Sequence, residues 1–411
     1  MPTTERYSKL LAQIQICGDD EMRMQKIEDA CTLHARIGWQ GLTKAEYLDS
    51  GDYYLVTGVD FLDGVIDFQN CHYVTKDRYD QDSHIQLQEN DVLVTKDGTI
   101  GKVAIVDKFD KPATLNSGVF VVRPRNEEAL LPTYLVYALR SGSFIRFIEQ
   151  IKVGCTIAHL NQAKFLKFEI PDIGVQEQRK VVNILSRTEE ILKKRRQQLE
   201  ELDNLIKSRF VELFGDTVLN PFGWEKDSLG SVCDVRDGTH DSPKYYETGY
   251  PLVTSKNVTG GKIDLTGCSL ICEADFNKIN ERSKVDSGDI IMPMIGTVGK
   301  PVIVDIEPDF AIKNVALIKF RADSSVLNIY IRALLQSDYF DDAVLSKVRG
   351  GTQKFISLGD IRKLEILVPP MDIQKQFVEF VKQVDKLKVE VQKSLDETQQ
   401  LMDSLMQKHF G

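Results

Sequence analysis

The sequence predicts an α+β protein with an internal pseudo-two-fold repeat, in which two similar α/β domains are separated by two long antiparallel α-helices that form a coiled coil. Two observations lead to this prediction. The stretches 175–214 and 371–410 contain neither proline nor glycine. Short motifs of the first half of the chain also return in the second half in the same order, at offsets of 196 to 202 residues. So little drift indicates a tandem duplication with few insertions, with a period far longer than that of solenoid repeats.

Each proline-free stretch has the spacing of a narrow helix–helix seam, in which seam residues recur alternately three and four positions apart. In the first stretch the seam positions are Val181, Leu185, Thr188, Leu192, Arg195, Leu199, Leu202, Ile206, Arg209 and Leu213. In the second stretch they are Ile373, Phe377, Phe380, Val384, Leu387, Val391, Leu401 and Leu405. The stretches also begin alike, with Gln176-Glu-Gln178 and Gln374-Lys-Gln376. A helix of this length spans roughly 60 Å, so the two are expected to pair and to act as a spacer.

The pattern of helical and strand signals divides the chain into five parts. The parts are an N-terminal amphipathic helix at 1–25, a first globular domain at 26–170, a first helical spacer at 171–215, a second globular domain at 216–368 and a C-terminal helical spacer at 369–411. Within the two globular domains, short alternating runs such as Tyr53–Thr57 and Val92–Thr95 are separated by glycine and aspartate turns, which predicts strands.

Composition is typical of a soluble globular protein. Hydrophobic residues make up 42% and charged residues 27% of the 411 residues. No apolar run is long enough to span a membrane, and the first residues lack the apolar core of a signal peptide. The seven cysteines are scattered without zinc-binding spacing, which predicts reduced thiols, no structural metal and a cytoplasmic location. The net charge of −9 argues against a polycation that coats nucleic acid, but it is compatible with one nucleic-acid-binding face.

Several motifs of the chain, most of them repeated, resemble those of a known family. In the second half they are Asp237-Gly-Thr-His240, Pro243, Tyr245, Gly249, Pro251-Leu252 and Gly261-Lys-Ile-Asp264. A Gly-Thr-x-Gly-Lys loop occurs twice, at 98–102 and 296–300, and a Gly-x-Thr turn occurs at 154–156 and 350–352. No single motif is specific, but the ordered set found twice resembles the specificity subunit (S protein) of Type I restriction-modification systems, across the whole chain. In that family two variable target-recognition domains alternate with two helical conserved regions.

The resemblance implies a non-catalytic reader of DNA sequence. Each recognition domain would read one half of a bipartite target in double-stranded DNA, while the helices set the spacing and dock two modification subunits that methylate adenine. Restriction subunits with translocase and nuclease activity would join the same complex. The implied cofactors, S-adenosylmethionine, ATP and magnesium, belong to these partners, and none is expected on this chain.

One departure from the pattern concerns the start of the first recognition domain. Thr32-Leu-His-Ala-Arg36 and Gly38-Trp-Gln-Gly41 stand where the second half has Val235-Arg-Asp-Gly-Thr-His240. Different openings fit domains that read different half-sites.

The residues themselves argue against catalysis. The Gly-Thr-x-Gly-Lys loops lack the first glycine of a Walker A loop, since Lys96 and Met294 occupy its place, and they lack the following Ser or Thr. Pro369-Pro370 lacks the acid or amide and the aromatic residue that flank such a pair in adenine methyltransferases. No acidic cluster has the neighbouring lysine that a magnesium-dependent nuclease needs.

Candidate DNA-binding residues are those that place donors on exposed turns. Arginine pairs well with guanine and asparagine with adenine in the major groove, whereas turn residues can equally serve only the turn. The candidates are Arg236, Thr239, His240, Lys244, Lys256, Asn257, Lys96, Thr99, Lys102, Thr297, Lys300, Thr352, Gln353 and Lys354. The alternative function is a coiled-coil protein-interaction scaffold without DNA specificity, which would not need the Asp-Gly-Thr-His turn or the paired loops.

Overall fold

The computed structural model describes residues 23–37, 41–152, 159–295, 298–340 and 355–411. It divides into two units, and each unit contains one globular part and a segment of both long helices. Unit 1 comprises the chain up to residue 194 together with 395–411, and unit 2 comprises 195–394.

Unit 1 is built from short strands followed by helices. Its strands are β1 (Met24–Lys26), β2 (Cys31–His34), β3 (Tyr53–Val56), β4 (Phe61–Leu62), β5 (Val65–Ile66), β6 (His72–Val74), β7 (Val92–Thr95), β8 (Val103–Ile105), β9 (Ala113–Leu115), β10 (Val119–Pro124) and β11 (Glu169–Pro171). Its helices are α1 (Ile27–Ala30), α2 (Lys76–Asp80), α3 (Pro132–Leu139), α4 (Gly142–Lys152), α5 (Gln162–Phe165) and the start of α6 (Val175–Phe214).

Unit 2 repeats this order. Its strands are β12 (Glu225–Ser228), β13 (Asp234–Asp237), β14 (Tyr250–Val253), β15 (Val258–Thr259), β16 (Lys262–Ile263), β17 (Ser269–Ile271), β18 (Ile290–Pro293), β19 (Val302–Ile303), β20 (Ala311–Ile312), β21 (Val315–Lys319) and β22 (Glu365–Val368). Its helices are α7 (Leu229–Val232), α8 (Glu273–Ser283), α9 (Asn328–Leu334), α10 (Asp338–Phe340), α11 (Leu358–Arg362) and the start of α12 (Met371–Phe410).

The strand pairings confirm the internal repeat. The main sheet of unit 1 has the order β2-β10-β7-β8-β5-β4, and that of unit 2 has the order β13-β21-β18-β19. Each unit also has a three-stranded sheet, β6-β3-β9 or β17-β14-β20, in which the second pair of strands is parallel. Val56 pairs with Leu115 in unit 1 and Val253 with Ile312 in unit 2, so these ladders end at equivalent residues.

The predicted N-terminal helix lies mostly outside the described residues. Of its residues, Met24 and Gln25 lie in β1 (Met24–Lys26), which pairs antiparallel with β11. The backbone of these residues is therefore extended, and its hydrogen-bonding groups are shared with β11. The bounds of the five predicted parts otherwise stay a prediction.

Both long helices were predicted correctly, and each unit contains one end of each. In unit 2 the two segments run antiparallel: the rings of Phe214 and Phe377 are 5.4 Å apart, while the Lys388 ammonium lies 2.6 Å from the carboxylate of Asp203. The seam of α12 differs from the predicted one at several positions, since Val381 and Met402 are buried but were not predicted as seam residues. Leu387 is 50% exposed and Lys388 lies closer to the partner segment, since a helix turns by 3.6 and not 3.5 residues.

Each globular part is joined to a long helix by a buried glutamine. The Gln178 carboxamide oxygen accepts from Leu131 N–H at 2.9 Å, and its nitrogen donates to the carbonyls of Ala129 and Ile173. The side chain of Gln374 makes the same three kinds of bond in unit 2. The equivalent glutamines are therefore Gln178 and Gln374, two residues out of step with the match suggested by the two Gln-x-Gln motifs.

The ends of the helices complete the cores of the units. In unit 2 the ring of Phe214 lies 4.7 Å from that of Tyr330. In unit 1 the ring of Phe410 lies 5.1 Å from that of Tyr134. Both tyrosines are fully buried. The end of α6 thus belongs to the core of unit 2, and the end of α12 belongs to the core of unit 1.

Candidate nucleic-acid interface

The Asp237–His240 turn follows β13 and is held by its own side chains. The Asp237 carboxylate is buried, and its Oδ2 lies 2.8 Å from His240 Nε2. A carboxylate can only accept, so Nε2–H donates to it, while Nδ1 lies 2.9 Å from the Asn314 side-chain oxygen. Arg282 also contacts Asp237, and Ser283 donates to its backbone carbonyl. The imidazole of His240 is therefore oriented by the protein, although the side chain is 63% exposed.

Arg236 is engaged within the domain. Its guanidinium donates to Asp234 Oδ2, at 3.0 Å from Nε, and to the backbone carbonyl of Arg282 at 2.8 Å. The hydrogen bond with Asp234 raises the pKa of Arg236 and lowers that of Asp234. To contact a base, Arg236 would have to give up its ion pair with Asp234.

The segment after the turn forms a wall of a small cavity. The cavity has a volume of about 220 Å³, and its lining residues come from the turn, from the segment after it and from α8. They are Gly238, Thr239, Asp241, Ser242, Pro243, Asp275, Lys278, Ile279, Arg282 and Ser283. Thr239 Oγ1 accepts from Asp241 N–H, and Lys244 Nζ lies 5.6 Å from the centre of the Tyr246 ring. Of the two candidates, Thr239 serves the turn and Lys244 is exposed.

Lys256 and Asn257 lie on a capped turn that leads into the β15–β16 hairpin. The Asn257 side-chain oxygen accepts from Thr254 N–H at 3.0 Å and from its hydroxyl at 2.9 Å. The Asn257 oxygen therefore holds the turn, whereas Lys256 is exposed. On the hairpin, Thr259 pairs with Lys262, and both are exposed, while Val258 pairs with Ile263 and both are buried.

Unit 1 has the same hairpin with different outward residues. Asp60 caps Thr57 as Asn257 caps Thr254, with bonds of 2.7 and 2.9 Å, and burial raises the pKa of Asp60. On β4–β5, Leu62 pairs with Val65. They are 56% and 39% exposed, and Val59 on the preceding turn is 84% exposed.

The first Gly-Thr-x-Gly-Lys loop is closed by a residue before it. Thr95 Oγ1 donates to the Thr99 carbonyl at 2.5 Å and accepts from Lys102 N–H at 3.0 Å. Lys96 is half-buried, with Nζ 5.2 Å from the centre of the Phe120 ring, whereas Thr99 and Lys102 are exposed. Of the three candidates in this loop, Thr99 and Lys102 are the accessible ones.

Lys102 also lies beside the hairpin turn of unit 1. Together they line a cavity of about 260 Å³, whose residues are Phe61, Asp63, Gly64, Lys102, Val103 and Arg140. In unit 2, Lys300 is exposed, and Pro293 occupies the place of Thr95. Thr297, Thr352, Gln353 and Lys354 lie outside the described residues, and none of the candidate contacts has been tested.

Sequence reasoning missed one polar centre, the buried Arg36 of unit 1. Its guanidinium donates to the Leu115 carbonyl at 2.8 Å, to Thr114 Oγ1 at 3.2 Å and to Gln81 Oε1 at 3.2 Å. Burial lowers its pKa. The signal that could have found it is the segment Thr32–Arg36, which replaces the Asp-Gly-Thr-His motif.

The described part of the chain shows no cluster of three or more His, Cys, Asp or Glu side chains arranged to hold a metal ion. Among the helices in the same residues, none combines the length and the apolar character needed to cross a membrane.

The chain matches a known protein family in both of its halves. A model described as "Type I restriction modification DNA specificity domain" matches twice, at residues 20–201 and 221–400. The specificity subunit of the Type I restriction enzyme MjaIX from Methanocaldococcus jannaschii is 25% identical over 77% of this chain and 76% of its own length. That of EcoKI from Escherichia coli K12 is 21% identical over 89% of this chain and 83% of its own.

A solved structure has a similar fold. The crystal structure of a Type I restriction-modification S subunit from M. genitalium covers 97% of this chain and 98% of its own, with a TM-score of 0.57 and 18% identity. At this identity the likeness concerns the fold, and it agrees with the two repeated units described above.

Proposed function

This chain belongs to the family of Type I restriction modification DNA specificity domains, and we infer that each of its two copies reads one half of a bipartite DNA target. The chain is a specificity subunit, with two recognition domains. The observation that carries the finer proposal is that two units of one topology present different residues at equivalent exposed positions. Such a pair suits an asymmetric target, because different side chains favour different bases.

The shared features of the two units suggest what they do in common. Both units bind a long helix through a buried glutamine, and both have an exposed lysine at the end of the Gly-Thr-x-Gly-Lys loop, Lys102 or Lys300. A partner that binds both units in the same way requires the same residues in each unit. We therefore assign the helices and the two exposed lysines to contacts with the two modification subunits or with the DNA backbone, which is the same at any sequence.

In the proposed complex each kind of subunit has a separate function. This chain supplies recognition without its own chemistry, the modification subunits transfer a methyl group from S-adenosylmethionine to adenine, and restriction subunits use ATP and magnesium. A cytoplasmic location remains a prediction from composition. The scaffold alternative explains the helices but does not explain two matches to a DNA specificity domain.

A domain exchange tests the proposal. Residues 220–368 are replaced by the second recognition domain of another specificity subunit, the complex is assembled with modification subunits, and methylated adenines are mapped across a genome. We expect one half of the target to change and the other to stay. An unchanged target would support the scaffold function instead.

The chain alone provides the second test. Without modification subunits it is expected to bind DNA weakly, with affinity that falls steeply as salt rises, and to transfer no methyl group. Methyl transfer by the purified chain would contradict the non-catalytic assignment.

A further inference from the structure

The two capped hairpins, Thr57–Asp67 in unit 1 and Thr254–Asp264 in unit 2, have the same backbone design. In each, a threonine is capped three residues later by Asp60 or Asn257. In each, the carbonyl of that capping residue then accepts from the N–H of the aspartate that ends the hairpin, at 2.9 and 2.8 Å. The two hairpins therefore share their internal register, although β5 also pairs with β8 in unit 1 while β15–β16 forms a separate two-stranded sheet in unit 2.

The outward side chains differ in one consistent way. Val59, Leu62 and Val65 of unit 1 have Lys256, Thr259 and Lys262 as their counterparts in unit 2, and all six are exposed. Each cross-strand pair, Leu62 with Val65 and Thr259 with Lys262, points to one side of its hairpin. Single exposed apolar residues are ordinary, but here three occur within one short hairpin and its turn, and all three have polar counterparts in the other unit.

We propose that these hairpins are sequence-reading elements, the first through apolar contacts to base edges and the second through lysine contacts to DNA. This inference rests on the proposed function. A two-stranded ribbon fits the major groove, where the thymine methyl group is the partner for apolar side chains. Exposed Lys102 beside the first hairpin supplies a cation for the neighbouring phosphate.

The difference between the hairpins favours DNA over a protein partner. Two copies of one modification subunit would meet equivalent surfaces of the two units and would require similar chemistry there. Two half-sites of unlike sequence require unlike chemistry. A patch of valine and leucine in one unit, replaced by two lysines and a threonine in the other, fits the second requirement.

The test exchanges the cross-strand pairs in the full chain, assembled with its modification subunits. The first variant carries Leu62→Thr and Val65→Lys, and the second carries Thr259→Leu and Lys262→Val. The readouts are the methylated target, mapped genome-wide, and the salt dependence of DNA binding. One phosphate contact contributes about 0.9 to the slope of log K against log salt.

The first variant is expected to change base preference in one half of the target, with methylation of the original site slowed about tenfold, and to steepen the salt slope by about 0.9. The second variant is expected to change the other half and to flatten the slope by about 0.9. The matched controls are Ile145→Thr, a 53% exposed apolar residue of α4, and Lys226→Val, a lysine paired with Glu365 at 2.8 Å. Both controls are expected to leave the target unchanged.

Other outcomes would overturn the proposal. Thermal unfolding first confirms that each variant is folded. If folded variants keep both half-sites and the wild-type salt slope, the hairpins do not read DNA, and weakened binding of modification subunits in the same variants would make them protein-docking elements. If the wild-type complex itself methylates no defined target, the proposed function fails, which is a different result from unchanged variants of an active complex.

Discussion

In unit 1 the carbonyl of Leu115 accepts a hydrogen bond from the buried guanidinium of Arg36, whereas in unit 2 the equivalent carbonyl, of Ile312, accepts one from the backbone N–H of Thr239. The two hydrogen-bond donors occupy the same position in the fold. His34 pairs with Val121 as Arg236 pairs with Leu317, so Arg36 and Gly238, each two residues further on, are equivalent.

The comparison teaches how one topology accommodates two different surfaces. In unit 1 a long side chain enters the interior and meets several neutral acceptors. In unit 2 the backbone itself comes so close that a Cβ at Gly238 would lie 2.5 Å from the carbonyl carbon of Ile312. Buried carbonyls must be hydrogen-bonded, and either a guanidinium or a turn meets that requirement. The turn then presents Thr239 and His240 near the surface of unit 2.

The largest expected effect concerns the ends of the long helices. Phe214→Ala should destabilise unit 2 by about 3–5 kcal/mol, because Phe214 is fully buried against the rings of Phe210, Tyr330 and Phe377. Phe410→Ala should destabilise unit 1 by somewhat less. Hydrogen exchange, read separately for the strands of the two units, measures both.

The matched control for these variants is Phe222→Ala, since Phe222 is 54% exposed and should matter little. Loss of protection in unit 1 after Phe214→Ala, with unit 2 unaffected, would contradict the division of the helices between the units.

Arg36→Met should cost unit 1 about 3 kcal/mol, because it leaves several buried acceptors without a donor. Hydrogen exchange of β9 is the direct measurement. Arg146→Met, a change at an exposed arginine whose guanidinium donates to the Gly411 carbonyl, is the control. Equal stability of the two variants would show that the buried guanidinium is replaceable by an apolar side chain.

Gly238→Ala should destabilise unit 2 by about 2 kcal/mol, because the methyl group would overlap backbone atoms that cannot move independently. Denaturant unfolding checks this. Gly359→Ala is the comparison within unit 2, since its Cβ would meet only Ser357 Oγ at 3.7 Å and alanine favours the α11 helix. A neutral result at residue 238 would mean that the turn can shift away from β20.

The smallest effect is a pH dependence confined to unit 1. Burial, together with the neighbouring His84 and Arg123, lowers the pKa of His34, while Asp82 opposes this. The unfolded chain therefore binds the proton more readily, so the contribution of neutral His34 is complete above about pH 6.5 and is lost as pH falls below it. The equivalent residue of unit 2, Arg236, stays charged.

We expect His34→Gln to reduce the loss of unit 1 stability between pH 7.5 and pH 5, measured by thermal unfolding with exchange in β2 as the local reporter. Plotted against pH, the stabilities of the wild type and the variant should run parallel at the higher pH and should diverge as the pH falls. Parallel curves over the whole range would exclude a contribution from His34.

Periodicity and repetition in the sequence were enough to predict the main features of the fold. The absence of proline and glycine over 175–214 and 371–410 determined both long helices, because nothing in these stretches interrupts the backbone hydrogen bonds of a helix. Repeated motifs at a nearly constant offset determined that two similar domains exist. Each of these signals is local or compares the chain with itself, and neither needs knowledge of distant contacts.

The tertiary structure decided which side chains are available. Asn257 and Arg236 have residue types suited to reading bases, but the fold commits one to a cap and the other to Asp234. Arg36 has the type of a surface residue, yet it is 1% exposed. The acceptors that meet these groups come from segments up to 79 residues away, and the distance between such segments is set by packing, which no spacing in the sequence records.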